Sequence, residues 1–266
     1  RKGSAVMTLM AISVAIFVLL GIEQIRQQAR ESFASTVSGV DLIVGAKTGS
    51  LNLLLYSVFR IGSPTDNISW QAYREIADAD DVAWTIPISL GDSHKGYRVV
   101  GTTEAFFKYF SFGKKRRLAF YKGEAFEGTF DAVLGSEVAT ALGYSMGTEV
   151  ILAHGLASAS FTKHDNQPFV VVGVLAPTGT PVDHTIHVRL EGIEAIHAGG
   201  SKVPIGAFAP ANRPTTNFSE PESITAFMLG LKSRMSTFNV QRQINEFAGE
   251  PLMAILPGVA LSELWQ

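Results

Sequence analysis

The sequence predicts an α+β fold in two lobes, joined to an N-terminal transmembrane helix by a stalk. Three observations lead to this prediction. An uncharged apolar run of eighteen residues opens the chain. Strand and helix patterns then alternate irregularly with frequent hairpins, which is typical of α+β folds and not of a doubly wound sheet. Finally, an early unit (40–90) and a late unit (223–256) enclose a middle portion, which suggests a second lobe inserted into the first.

The apolar run, Ala5 to Ile22, predicts a membrane span. At 1.5 Å per residue it reaches about 27 Å, close to the hydrocarbon thickness of a bilayer. Arg1 and Lys2 precede it, so the positive-inside rule places its start in the cytoplasm and everything after about residue 23 outside. A signal peptide and a buried core helix are the alternatives, but a signal peptide has a shorter apolar core and a small-residue cleavage site. Residues 23–35 continue as a polar stretch of good helix formers and predict the stalk.

Composition excludes several classes of function. The 266 residues are 46% apolar and 17% charged, which argues against disorder, and the formal charge of −2 gives no general attraction to nucleic acid. Cysteine is absent, so disulfides, thiolate metal sites and cysteine nucleophiles are impossible. The sequence also lacks the P-loop, G-x-S-x-G and H-E-x-x-H motifs. An anchored hydrolase is therefore disfavoured, because no nucleophile, base and orienting group can be assembled.

Local patterns place the elements of the external part. Ser69 is a predicted N-cap, Thr102 or Thr103 caps a short aromatic helix, and Ser136 caps a helix that ends at Gly143. A six-residue hairpin loop (91–96) and a long loop (112–129) are also predicted. The predicted strands cover 40–45, 82–90, 97–101, 133–135, 149–153, 169–175, 223–231 and 251–256, and the predicted helices 70–79, 104–110, 136–142, 190–197, 234–247 and 259–266.

The long loop carries the one strong basic run, Lys114 to Arg117. We interpret this run as a solvated loop, with contact to anionic lipid or to a partner as the alternative.

Histidines form the other suggestive cluster, because five of the six lie between His154 and His197. If residues 183–187 form a strand, Asp183 and His187 share one face and His184 points away. Imidazole and carboxylate groups together suit zinc, so Asp183, His184, His187 and His197 are the candidate metal ligands. The alternative is that these histidines are separate surface or core residues without a metal. No other cofactor is predicted.

Four segments, taken in order, resemble the periplasmic core domain of MacB-like ABC transporter permeases, a family that includes FtsX-type and LolC/LolE-type subunits. They are G-V-D-L-I-V-G-A-K at 39–47, A-V-L-G-S-E-V-A with L-G at 132–143, G-T-E-V at 147–150 and F-V-V-V-G-V-L at 169–175. The turn 177–181 with Asp183 is also of the family type. His184 and His187 belong to no general family pattern.

The resemblance implies a permease in the bacterial inner membrane whose first helix leads to a two-lobed periplasmic domain. ATP hydrolysis would belong to a separate ABC ATPase subunit, so the chain itself is expected not to be an enzyme. The resemblance further implies a homodimer that passes ATPase-driven motion to the periplasm, and three more membrane helices after Gln266. The alternative function is a periplasmic binding module for a partner protein or for divalent metal. The expected layout is a transmembrane helix (1–22), a stalk (23–38), a porter-like lobe (39–95 and 211–257), an inserted lobe (96–210) and the start of a return helix (258–266).

Overall fold

The computed structural model describes residues 2–154, 167–197 and 220–263. Its α-helices are α1 Lys2–Ser35, α2 Ser50–Leu54, α3 Trp70–Ala77, α4 Ala105–Tyr109, α5 Ser136–Leu142, α6 Leu190–His197, α7 Thr237–Asn245 and α8 Pro257–Glu263. A π-helical turn covers Leu55–Phe59, and 3₁₀ turns cover Pro181–His184 and Arg234–Ser236. The strands are β1 Leu42–Ala46, β2 Ile68–Ser69, β3 Val82–His94, β4 Tyr97–Thr102, β5 Ser111–Phe112, β6 Arg116–Arg117, β7 Phe120–Gly123, β8 Asp131–Leu134, β9 Glu149–Val150, β10 Ala153–His154, β11 Phe169–Leu175, β12 Thr185–Arg189, β13 Ser223–Ile224, β14 Ala226–Leu231 and β15 Leu252–Ile255.

Helix α1 is continuous for 34 residues and joins the apolar run to the predicted stalk without a break. By length and composition, its part from Lys2 to Gln28 is able to cross a membrane. None of its most apolar window is buried against the rest of the protein, and large side chains such as Phe17 and Leu19 are exposed. A buried core helix is therefore excluded.

One part of the main sheet has the strand order β15-β1-β14-β3, with every neighbouring pair antiparallel. The chain enters it twice, as β1–α3–β3 and as β14–α7–β15, which is the split βαβ arrangement of ferredoxin-like folds. Helices α3 and α7 cover one face of this sheet because their apolar stripes alternate with polar positions. The core beneath them includes Tyr73, Ile76, Phe227, Val240 and Ile244.

The middle of the chain forms the other part of the same sheet, in the order β3-β4-β12-β8-β11-β7. Two neighbouring pairs, β12 with β4 and β8 with β11, are parallel, and the others are antiparallel. The predicted α+β class is thus confirmed. Strand β3 belongs to both parts: its first half pairs with β14 and its second half with β4, and the register shifts between Leu90 and Ser93.

Two loop predictions were wrong. Strand β3 continues to His94 because β10 pairs with its end, so the predicted six-residue loop shrinks to a turn at Lys95 and Gly96. Both residues have positive φ, as a tight type I′ hairpin requires. The predicted loop 112–129 contains β6 and β7, and β5 pairs with β6. The basic run lies at the tip of this β5–β6 hairpin with all four side chains exposed, which agrees with a solvated run.

The helix caps show which local predictions survive. Ser69 caps α3 as predicted, since its hydroxyl accepts a hydrogen bond from the Ala72 amide at 3.1 Å. The other two caps were wrong. Gly135 takes the N-cap position of α5, and Glu104 takes that of α4. Thr102 instead donates a hydrogen bond to the Pro87 carbonyl at 2.7 Å, because its hydroxyl is buried within the sheet. Gly143 ends α5 in the left-handed conformation, as predicted.

Candidate functional site

The end of α1 meets the body of the protein at a buried junction. Thr36 and Val37 are buried directly after the helix, and the Ser38 amide donates a hydrogen bond to the Ser111 carbonyl at 2.9 Å. Helix α8 contacts both α1 and α2, and Ser50 at the start of α2 donates a hydrogen bond to the Glu263 carboxylate at 2.7 Å. Helix α8 therefore links α1 to α2.

Helix α2 leads from this junction into an apolar helical stretch that ends at Arg60. Its last turn is a π-helix, a form that occurs mostly as single turns and frequently at functional sites. The turn is anchored by the buried side chains of Tyr56, Val58 and Phe59. Arg60 follows in the left-handed conformation with φ of 60°, a conformation that is uncommon for a residue other than glycine.

A cavity of about 710 Å³ opens beside Arg60. Three segments form its wall: the junction with the π-turn, the start of β4, and the turn between β11 and β12. Glu137, on the first turn of α5, lies at its edge. The charged and titratable side chains that line it are Arg60, Tyr97, Arg98, Glu137, Asp183 and His184.

Two of the four predicted metal ligands, Asp183 and His184, line this cavity, but Asp183 has another role. Residues 181–184 form a 3₁₀ turn and not a strand, so Asp183 and His187 do not share a strand face. The buried Asp183 carboxylate accepts hydrogen bonds from the Thr178 amide at 2.9 Å, from the Thr178 hydroxyl at 2.8 Å and from the Gly179 amide at 2.7 Å. Asp183 therefore fixes the turn, while His184 is exposed.

His187 lies in the hydrophobic core. It is fully buried, its ring stacks on Phe106 at a centroid distance of 4.7 Å, and neither ring nitrogen has a hydrogen-bond partner. Burial, together with the nearby charge of Arg60, lowers the pKa of His187 to about 3. The backbone of Val133, the cross-strand partner of His187, acts to raise this pKa, but it makes no hydrogen bond to the ring. His187 is therefore a neutral core residue.

His197 lies at the end of α6, where its Nε2 atom is 3.3 Å from the Asp92 carboxylate on β3. Hydrogen bonding to Asp92 raises the pKa of His197, although burial acts in the opposite direction. The structure thus does not bring Asp183, His184, His187 and His197 together. Across the described ranges, no group of three His, Asp or Glu side chains is arranged to hold a metal ion.

Sequence reasoning missed the residues that give the cavity its character, Arg60 and Arg98. Neither lies in a recognisable motif, and only the burial of the apolar stretch before Arg60 reveals its position. His94 was also not among the predicted functional residues. Its Nδ1 atom lies 2.6 Å from the Ile151 carbonyl and its Nε2 atom 2.8 Å from the Tyr144 hydroxyl, so it joins β3 to the segment before β10.

Comparison with known proteins identifies the domain. The model of the MacB-like periplasmic core domain matches residues 5–247. The chain belongs to the MacB-like periplasmic core domain family. The sequence resemblance is thereby confirmed, and so is the fold that it implied. No curated protein sequence shows a significant match.

Two solved structures extend the comparison of this MacB-like domain. The periplasmic region of MacB from Actinobacillus actinomycetemcomitans matches with a TM-score of 0.53 at 8% identity, covering 87% of this chain and 95% of that one. The extracellular domain of the noncanonic ABC-type transporter YknZ from Gram-positive bacteria has a TM-score of 0.46 at 11% identity, covering 81% and 98%. At 8% identity, the first match shows a shared fold.

Proposed function

We propose that this MacB-like chain is the part of an ABC transporter permease that carries ATPase-driven motion from the membrane to the periplasm. In this proposal it lies in the bacterial inner membrane, with the residues after about 23 in the periplasm. It acts as a homodimer, works with a separate ATPase subunit, and hydrolyses nothing itself. Family membership and the candidate membrane span support these assignments, and contact with a periplasmic partner protein is an extension of them.

The continuity of α1 carries the proposal. Residues 23–35 extend the helix about 20 Å beyond the apolar run, at 1.5 Å per residue. A helix of this kind transmits tilt and rotation along its length, and it enters the body at the buried Thr36 and Val37. Since α8 packs against both α1 and α2, movement of either membrane-side segment reaches α2 and the π-turn that follows it.

A stalk-softening experiment tests the coupling. The variant Gln27→Gly with Gln28→Gly weakens the exposed middle of the stalk, because each glycine costs about 1 kcal/mol of helix stability relative to alanine. The double alanine variant at the same two positions is the matched control. Because the chain has no cysteine, one cysteine introduced at Met235, which is 94% exposed, takes a unique spin label.

The measurement is the distance between the labels of a dimer of the full-length permease with its ATPase subunit, in lipid nanodiscs, with and without trapped ATP. We expect a nucleotide-dependent shift in the distance for the alanine control and a much smaller one for the glycine variant. Coupling through the stalk is contradicted if the distance in the control does not change with nucleotide, or if it changes equally in both variants. If the labelled chain does not form a homodimer, or does not co-purify with an ATPase subunit, the proposed assembly is contradicted.

A further inference from the structure

The cavity beside the π-turn contains two arginines that form no ion pair with the carboxylates of the described residues. Arg60 donates one hydrogen bond, to the Ser57 carbonyl, and Arg98 donates one to the Gly62 carbonyl. The Nε atom of Arg98 is buried and has no acceptor. Within the ranges that the structure describes, neither arginine forms an ion pair with a carboxylate.

This arrangement is costly for the folded protein on its own. Arg60 is half-buried, and burial together with the nearby charge of Arg98 lowers its pKa to about 10. A half-buried cation without a counter-charge is unfavourable, and a buried N–H donor without an acceptor loses its bond to water. Both penalties fall on groups that line the same cavity.

The carboxylates of the cavity do not relieve the two arginines. The Asp183 oxygens are taken up by the amides and the hydroxyl of the turn 178–179. Glu137 is exposed to solvent at the edge of the cavity. His184 is exposed as well, and an imidazole carries no negative charge. Neither carboxylate forms an ion pair with Arg60 or Arg98 in the described residues, so both guanidinium groups keep donors for a further anion.

The backbone gives an independent indication of function. Arg60 is held in the left-handed conformation immediately after a π-turn, and residues in such sparsely populated conformations cluster at ligand-binding and switch regions. A glycine would adopt this conformation without strain, whereas the arginine at this position places its side chain at the cavity.

We propose that the cavity binds a phosphate group between Arg60 and Arg98. Guanidinium groups bind phosphate oxygens through paired N–H donors, and the orphan Nε–H of Arg98 is one half of such a fork. The cavity is larger than a phosphate ion, so the phosphate is either free with its water or part of a larger molecule such as a lipid headgroup. The site is independent of the proposed transmission role, since it requires no motion of the stalk.

Calorimetry on the full chain tests the site, in a detergent and buffer without phosphate or sulfate and at constant ionic strength. The titrants are sodium phosphate, dihexanoyl phosphatidic acid below its micelle concentration, and dihexanoylglycerol as the uncharged counterpart. Arg60→Gln and Arg98→Gln each remove one guanidinium group. Arg98→Lys keeps the charge and removes the orphan donor, so it reports on geometry when the larger change unfolds the protein.

The matched control removes two charges from a different basic cavity. Lys115 and Arg117 line a cavity of about 400 Å³ near the β5–β6 hairpin, with Lys232 and Arg234. The double variant Lys115→Gln with Arg117→Gln therefore tests whether phosphate binds by net charge alone. We expect unchanged binding in this control and at least tenfold weaker binding in Arg98→Lys and Arg60→Gln, with thermal unfolding curves confirming folded protein.

The two titrants distinguish the sources of the phosphate group. Saturable binding of inorganic phosphate supports a free anion, and binding of phosphatidic acid alone supports a lipid headgroup. Three results overturn the proposal: no saturable binding of either titrant, equal binding of dihexanoylglycerol, or loss of binding in the Lys115 and Arg117 control but not in Arg98→Lys.

Discussion

Replacing His187 with leucine should make the protein less sensitive to acid. The imidazole is fully buried against Phe106 with no hydrogen-bond partner, so it stays neutral in the folded state down to a pKa of about 3. In the unfolded chain it takes up a proton near pH 6.5. The unfolded state therefore binds more protons in between, and the free energy of unfolding falls as the pH falls below 6.5. Above that pH the His187 contribution is fully present.

The size of the effect follows from the two pKa values. At about 1.4 kcal/mol per pH unit, roughly 2 kcal/mol is lost by pH 5 relative to pH 7.5. For a domain of this size that corresponds to about 4–8 °C in melting temperature. Leucine has a similar volume and leaves no unsatisfied nitrogen in the core, so His187→Leu should match or exceed the wild-type stability at pH 7.5.

The assay is tryptophan fluorescence during thermal unfolding of the detergent-solubilised chain at several pH values. Wild type and variant share every other titrating group, including His94 and His197, so the difference between their melting temperatures isolates His187. We expect this difference to grow in favour of the leucine variant from pH 7.5 to pH 5. Parallel curves, or a leucine variant that loses stability faster in acid, would refute the assignment of His187 as a neutral core residue.

Three further predictions concern the turn and the α6 end. Asp183→Asn should lower the free energy of unfolding by about 2 kcal/mol, because charge-assisted bonds to the turn are lost; unchanged denaturant unfolding would contradict this. Gly135→Ala places a Cβ 2.2 Å from the Val182 carbonyl oxygen, so about 1–3 kcal/mol should be lost, whereas the nearby Gly143→Asn, at a left-handed cap, should lose far less. His197→Ala should destabilise more at pH 6 than at pH 8.5. The raised pKa of His197 means that its stabilising charge is present below pH 6.5 and disappears as the pH rises through the folded-state pKa; a pH-independent loss in thermal melts would count against the pairing with Asp92.

Patterns of local origin were predictable from the sequence. The apolar run, the Ser69 cap and the strand 169–175 each follow from residue order within one element, and the structure shows them at those residues. Predictions failed where a segment distant in sequence determines the local structure. Strand β3 is lengthened by β10, a pairing partner some sixty residues away, and Thr102 is drawn from its predicted cap by the Pro87 carbonyl of the neighbouring strand.

The candidate site was less predictable than the fold. The spacing of histidines and carboxylates predicted a metal site at residues 183–187. The 3₁₀ turn at 181–184 instead keeps Asp183 within the turn, while His187 lies in the hydrophobic core. Arg60 and Arg98 lie far apart in sequence, and they come near each other because the π-turn, β4 and the β11–β12 turn line one cavity. No local sequence pattern predicts that these two residues are neighbours, because their proximity depends on the pairing of β12 with β4.

The shared strand β3 constrains any relative movement of the two halves of the body. Because one unbroken strand carries hydrogen bonds to β14 along its first half and to β4 along its second, no flexible linker separates the halves on this side. A rotation of one half must therefore bend or twist the strand itself, and the register shift between Leu90 and Ser93 is the place where its pairing is already interrupted. The two parts of the body thus share one continuous sheet, and the interruption in the pairing of β3 lies where they join.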